Sequence, residues 1–69
     1  MNATINIHGR KLQQMNRTVA SVREARGLAK SFLRSLGDDR AHARVFVDGV
    51  VITISQDKGR WVVKEEVKL

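Results

Sequence analysis

Sixty-nine residues fit one domain, and a core this small leaves no volume to spare for a deep, water-excluding catalytic cleft. The absence of cysteine rules out disulfides and thiolate–metal sites as braces for so thin a core. A hydrophobic content of 42% argues against disorder, and a net charge of +6 points toward an anionic partner.

The charge is unevenly placed. Residues 1–47 hold nine cations against three acids, Glu24, Asp38 and Asp39, whereas residues 48–69 hold four of each. No stretch approaches the roughly 20 apolar residues of a membrane span. The opening MNATINIHGRK lacks the basic-then-apolar pattern of a secretory signal. A soluble, cytoplasmic protein is expected.

In chain order, Ala3–His8 alternates apolar and polar residues with Ala3, Ile5 and Ile7 on one side, the period of a strand. Gly9 interrupts it. Residues 10–17, RKLQQMNR, form either a return strand after a turn or an irregular approach to the next element, with Leu12 and Met15 expected in the core either way.

Ser21–Glu24 has the spacing of a capping box, in which Ser21 accepts from the Glu24 amide and the Glu24 carboxylate reaches back. Val22, Ala25, Leu28, Ala29, Phe32, Leu33 and Leu36 then cover an arc of about 140° on a 3.6-residue repeat, enough to face a sheet. Gly37 suits a left-handed C-cap, so a helix is predicted from Val22 to Leu36.

Asp48-Gly49 divides the apolar segment that follows, and this pair favours a two-residue type I′ turn. The implied register sets Val47 against Val50, Val45 against Ile52 and Ala43 against Ile54, one apolar face throughout. A four-residue turn over Gln56–Gly59 would then set Ile54 against Trp61 and turn Glu65 awkwardly inward opposite Val50. The last strand would overhang its neighbour, offering Trp61–Leu69 as an edge for a homodimer or another partner. The predicted fold is α+β: one helix on one face of a mainly antiparallel, three- to four-stranded sheet. Its order is β-α-β-β-β, or ββ-α-βββ if residues 10–17 form a strand.

Nothing in the sequence supplies catalytic machinery. His8 and His42 have no spacing that links them, and are expected to be ordinary surface residues. Glu65 and Glu66 alternate across a strand and cannot act as a dyad. The glycines form no phosphate-cradling motif. No metal site, cofactor site or enzyme activity is expected.

Two surfaces remain. On the helix, Arg23, Arg26, Lys30 and Arg34 lie within about 80° of one another, a cationic stripe beside the apolar one. Arg10, Lys11 and Arg17 are positioned to extend it, and Gly27 on the same side would permit close approach of a partner. On the uncovered sheet face, Arg44, Phe46, Val51, Thr53, Val62 and Lys64 are expected. There Phe46 is a lone aromatic, where sheets that read single strands usually offer two or three. These features point to a small basic module that contacts nucleic acid, or a nucleic-acid-associated complex, through the helix stripe, with Arg44, Phe46 and Lys64 as a second surface. The alternative is a protein-directed regulator or inhibitor, of the accessory kind carried by phages and mobile elements, that binds an acidic face of a larger machine.

Overall fold

Period-two alternation of apolar residues makes Asn2–His8 the first strand, β1, and its buried side is Ala3, Ile5 and Ile7. In the computed structural model, which covers residues 1–69, β2 (Leu12–Thr18) returns antiparallel beside it, so residues 10–17 belong largely to a strand. Helix α1 (Val22–Leu36) follows, then β3 (His42–Val47), β4 (Val50–Asp57) and β5 (Arg60–Lys68). The order ββ-α-βββ is therefore the one adopted, in a five-stranded sheet ordered β2-β1-β3-β4-β5. Since β2 and β3 both run antiparallel to β1, α1 is the crossover between two parallel strands with β1 between them.

The helix ends follow the local chemistry. Ser21 Oγ accepts from the Glu24 amide at 3.1 Å, and Glu24 Oε2 accepts from the Ala20 amide at 3.3 Å, one residue earlier than a reciprocal box requires. Gly37 closes the helix at φ 69°.

Ala25, Ala29 and Leu33 are the fully buried residues of α1. The two alanines bring the helix axis close to β3, the strand it contacts most. Beneath it lie Ile5, Ile7, Ala43, Val45, Ile52 and Ile54, with Met15, Leu28, Phe32, Trp61 and Val63 packed around the rim.

The β3–β4 register is as expected. Asp48 (φ 49°) and Gly49 (φ 71°) form the turn, and Val47, Val45 and Ala43 oppose Val50, Ile52 and Ile54. The β4–β5 register differs. Its turn is also two residues, Lys58 (φ 52°) and Gly59 (φ 79°), so Gln56 rather than Ile54 opposes Trp61, and Ile54 opposes Val63. Lysine is a poor guide to such a turn because its Cβ crowds the left-handed region. A bulge at Lys64 then resets the pleat: Glu65 faces outward beside Thr53, and Glu66 turns to the helix side opposite Ile52. The predicted inward Glu65 is thereby avoided. The predicted overhang is absent too, since β5 is paired along its length and the Leu69 amide reaches the Gly49 carbonyl at 2.8 Å.

The two sheet edges differ. On β5 the bulge and the charges of Lys64, Glu65, Glu66 and Lys68 blunt the outer rim. On β2 there is no bulge and one charge, Arg17. Met1 and Val19 exchange both backbone hydrogen bonds, at 2.8 and 2.9 Å. Antiparallel alternation from that pair leaves the N–H and C=O groups of Leu12, Gln14, Asn16 and Thr18 directed off the sheet.

Replacing Lys58 by asparagine, which tolerates φ 52°, should stabilise the domain by about 0.5–1 kcal/mol. A urea titration followed by Trp61 fluorescence checks it, and an unchanged or lower midpoint would refute a strained turn.

Candidate functional site: a cationic helix flank and an open sheet face

Only two of the thirteen Lys and Arg side chains meet a carboxylate: Arg26 pairs with Glu66 at 3.5 Å, and Lys64 with Asp57 at 3.8 Å. Both pairs are substantially exposed and contribute at most about 1 kcal/mol each.

The predicted stripe holds together on the helix but is not uniform. Arg23 and Arg34 are exposed, Lys30 is half-buried, and none of the three is ion-paired, whereas Arg26 is drawn toward β5 by Glu66. That pairing follows from the bulge, which aims Glu66 at the helix side. Arg17 does not extend the stripe. Its guanidinium lies 5.6 Å from the Phe32 ring centroid, on the opposite flank of α1, an arrangement worth about 0.5–1 kcal/mol at an exposed site. Arg10 and Lys11 sit in the β1–β2 loop near the C-terminal end of α1. Gly27 is exposed with open space where a Cβ would stand.

At that same end, an open groove of about 1110 Å³ runs between the β1–β2 loop and Leu36–Arg40. Leu36 is its one hydrophobic wall residue, so it lacks the apolar lining of a small-molecule pocket. Its acids are occupied in shaping the loop: Asp38 Oδ1 accepts from the Arg40 amide at 2.9 Å, and Asp39 Oδ1 from Gln56 Nε2 at 3.3 Å. Gly9 packs against this loop, and a Cβ there would stand 3.2 Å from Asp38 Oδ2 and 3.3 Å from Leu36 Cδ2.

The sheet face away from α1 carries the predicted Arg44, Phe46, Val51, Thr53, Val62 and Lys64. Phe46 is 36% exposed. Neither β1 nor β2 folds over it. Both widen the face instead, adding Thr4, Asn6, His8, Leu12, Gln14 and Asn16. Leu12 is 69% exposed there, not in the core. Residues 12 and 15 fall on opposite sides of a strand, so only Met15 packs inward.

The histidines are the residues that sequence reasoning missed. Antiparallel pairing of β1 with β3 sets His8 directly opposite His42, and the half-buried rings stack with centroids 4.7 Å apart and planes 8° from parallel. The signal lies in the apolar alternation: matching Ala3, Ile5 and Ile7 to Val47, Val45 and Ala43 brings 8 opposite 42. Burial, the facing His8 and the nearby Arg44 lower the His42 pKa from its ordinary 6.5, so the neutral ring is favoured in the folded state. Asn6 Oδ1, one pleat along from His8, is buried and accepts no hydrogen bond.

No protein-family model, curated protein or solved structure matches the chain. No helix is long and apolar enough to cross a membrane.

A depressed imidazole pKa contributes stability that is complete above 6.5 and is lost as pH falls toward the folded-state value, where the unfolded chain binds the proton first. The urea midpoint should therefore drop below pH 6.5, and His42→Gln should make that drop shallower. An equal drop in the variant would dismiss the stacked pair as its source.

Proposed function

We propose that this chain is a small basic, non-enzymatic binding module that contacts nucleic acid, or a complex built on nucleic acid, through the flank of α1 bearing Arg23, Arg26, Lys30 and Arg34. The observation that carries the reading is charge without compensation: three of those four cations have no carboxylate partner. Like charges four apart on a helix, as at Arg26, Lys30 and Arg34, disfavour it by a few tenths of a kcal/mol each, and here only Arg26 meets an acid, Glu66 from β5. A phosphate backbone would supply the missing anions and release its own counterions, the usual source of salt-sensitive affinity.

The second reading is a regulator that docks on an acidic protein surface. It draws on the apolar row Phe46, Val51 and Val67, which crosses the open face from β3 to β5. Aromatics and arginines beside apolar residues suit a protein interface.

Titration of labelled DNA and RNA across several salt concentrations, with heparin as a non-specific polyanion, separates the two. Binding whose logarithm falls linearly with log salt is expected. Replacing Arg23, Lys30 and Arg34 by glutamine leaves the Arg26–Glu66 pair intact and should reduce the slope, for each phosphate no longer neutralised, by roughly 0.9 on duplex DNA and roughly 0.7 on a single strand. No binding even at low salt would favour the protein partner.

Gly27 supplies an independent check, because its position has room for a side chain. Gly27→Ala should raise stability by about 0.5–1 kcal/mol. Weaker nucleic-acid binding by this more stable variant would place the ligand's backbone close against the helix. Unchanged binding would limit the contact to the long cationic side chains.

A further inference from the structure

The part of the open face built from β2, β1 and β3 has an unusual composition. Its outward residues are Leu12, Gln14, Asn16 and Thr18, then Asn2, Thr4, Asn6 and His8, then His42, Arg44 and Phe46. No carboxylate stands among them; amides, hydroxyls, three rings and one arginine do. The lone aromatic expected from the sequence is therefore one of three rings on two adjacent strands.

We propose that this face seats single-stranded nucleic acid, with bases stacking on Phe46 and on the His8–His42 pair while Arg44 between them meets the backbone. The inference rests on the nucleic-acid reading above and deepens it by naming the strand state and the residues that distinguish it.

Spacing favours a single strand. His42 and Phe46 are four residues apart on one side of β3, which at strand rise separates them by about 13–14 Å. Stacked bases of a duplex lie about 3.4 Å apart with their faces covered, and cannot meet both rings. A splayed strand can, since every base then offers a π-face, and short side chains on a flat sheet need not enter a groove.

Electrostatics favour it as well. Arg44 is exposed and unpaired, and no acid on these three strands' outer side repels a phosphate. The depressed His42 pKa keeps that ring neutral at pH 7, suited to stacking. Asn6 Oδ1 lies opposite Arg44 in the next strand, between Thr4 and His8. A protein partner would instead centre on the apolar row Phe46, Val51 and Val67 toward β5, away from the histidine pair.

The test is fluorescence anisotropy with a labelled oligothymidylate of roughly 10 nucleotides, within the usual span of a single-strand site, and with a duplex of equal length. The single strand should bind more tightly. Phe46→Ala and His42→Ala should each weaken it roughly tenfold, the scale of removing one base stack, leave the duplex unchanged, and spare the circular dichroism spectrum. Phe46→Tyr should restore binding. Amide chemical-shift mapping of the unsubstituted protein supplies a readout that no variant's folding can spoil, with shifts expected at Thr4, Asn6, Arg44 and Phe46.

Single-strand affinity unchanged by a folded Phe46→Ala, or shifts confined to α1, would overturn this inference while leaving the helix reading standing. Failure of every nucleic acid to bind would remove both.

Discussion

The structure depends on the close seating of one helix against β3. Ala25 and Ala29 present almost no side chain to the sheet, so α1 settles onto Val45 and its neighbours with Leu33 as its one large buried residue. This seating buries the inner sheet side, and each later feature is a consequence of it. A single 15-residue helix cannot cover five strands on both sides, so the outer face is left open. The same seating fixes which helix flank lies over β5, and thereby which cation Glu66 can reach.

That geometry divides the excess charge into two sets that do different physical work. On the helix flank Arg23, Lys30 and Arg34 have no carboxylate partner and sit on long side chains, so they suit attraction without discrimination. Those on the open face are few, and they lie among amides and rings whose hydrogen bonds and stacking are short-ranged. Long-range charge and short-range polar and aromatic groups thus lie on opposite sides of the same thin sandwich. A mutation at one need not disturb the other, because the alanine seam lies between them.

Local signals in the sequence are enough for much of this. The capping box, Gly37 and Asp48-Gly49 each act through residues a few positions apart, and they locate α1 and the β3–β4 register. The open face and its Arg44 and Phe46 follow from that register, whereas Lys64 reaches the same face as the bulge residue of a β5 register that differs from the expected one. What local patterns do not carry is non-local or conformationally atypical. Pairing of β1 with β3 joins segments separated by the whole helix, and the His8–His42 stack exists only through it. The Lys58-Gly59 turn demands a backbone conformation lysine disfavours, and a longer turn read in its place displaces all of β5. The Arg26–Glu66 pair is hidden by the same displacement. Leu12 and Met15 cannot both point inward from a strand, because residues three apart lie on opposite sides of it.

The asymmetry of the two sheet edges has a bearing on how this molecule behaves in concentrated solution. Along β2, four residues hold their peptide groups outward with no bulge or proline, and only the Asn16 carbonyl is occupied, by Arg17 Nη1 at 2.9 Å. Mutual repulsion between copies of net charge +6 is what opposes such a meeting, and dissolved ions weaken it. If the proposed polyanion contact exists, ionic strength would bear on two equilibria at once: salt that weakens such a contact would also lower the repulsion that keeps two such rims apart. A bound polyanion would cancel the same repulsion from within, so copies crowded along one long ligand would meet at that rim where free copies keep apart.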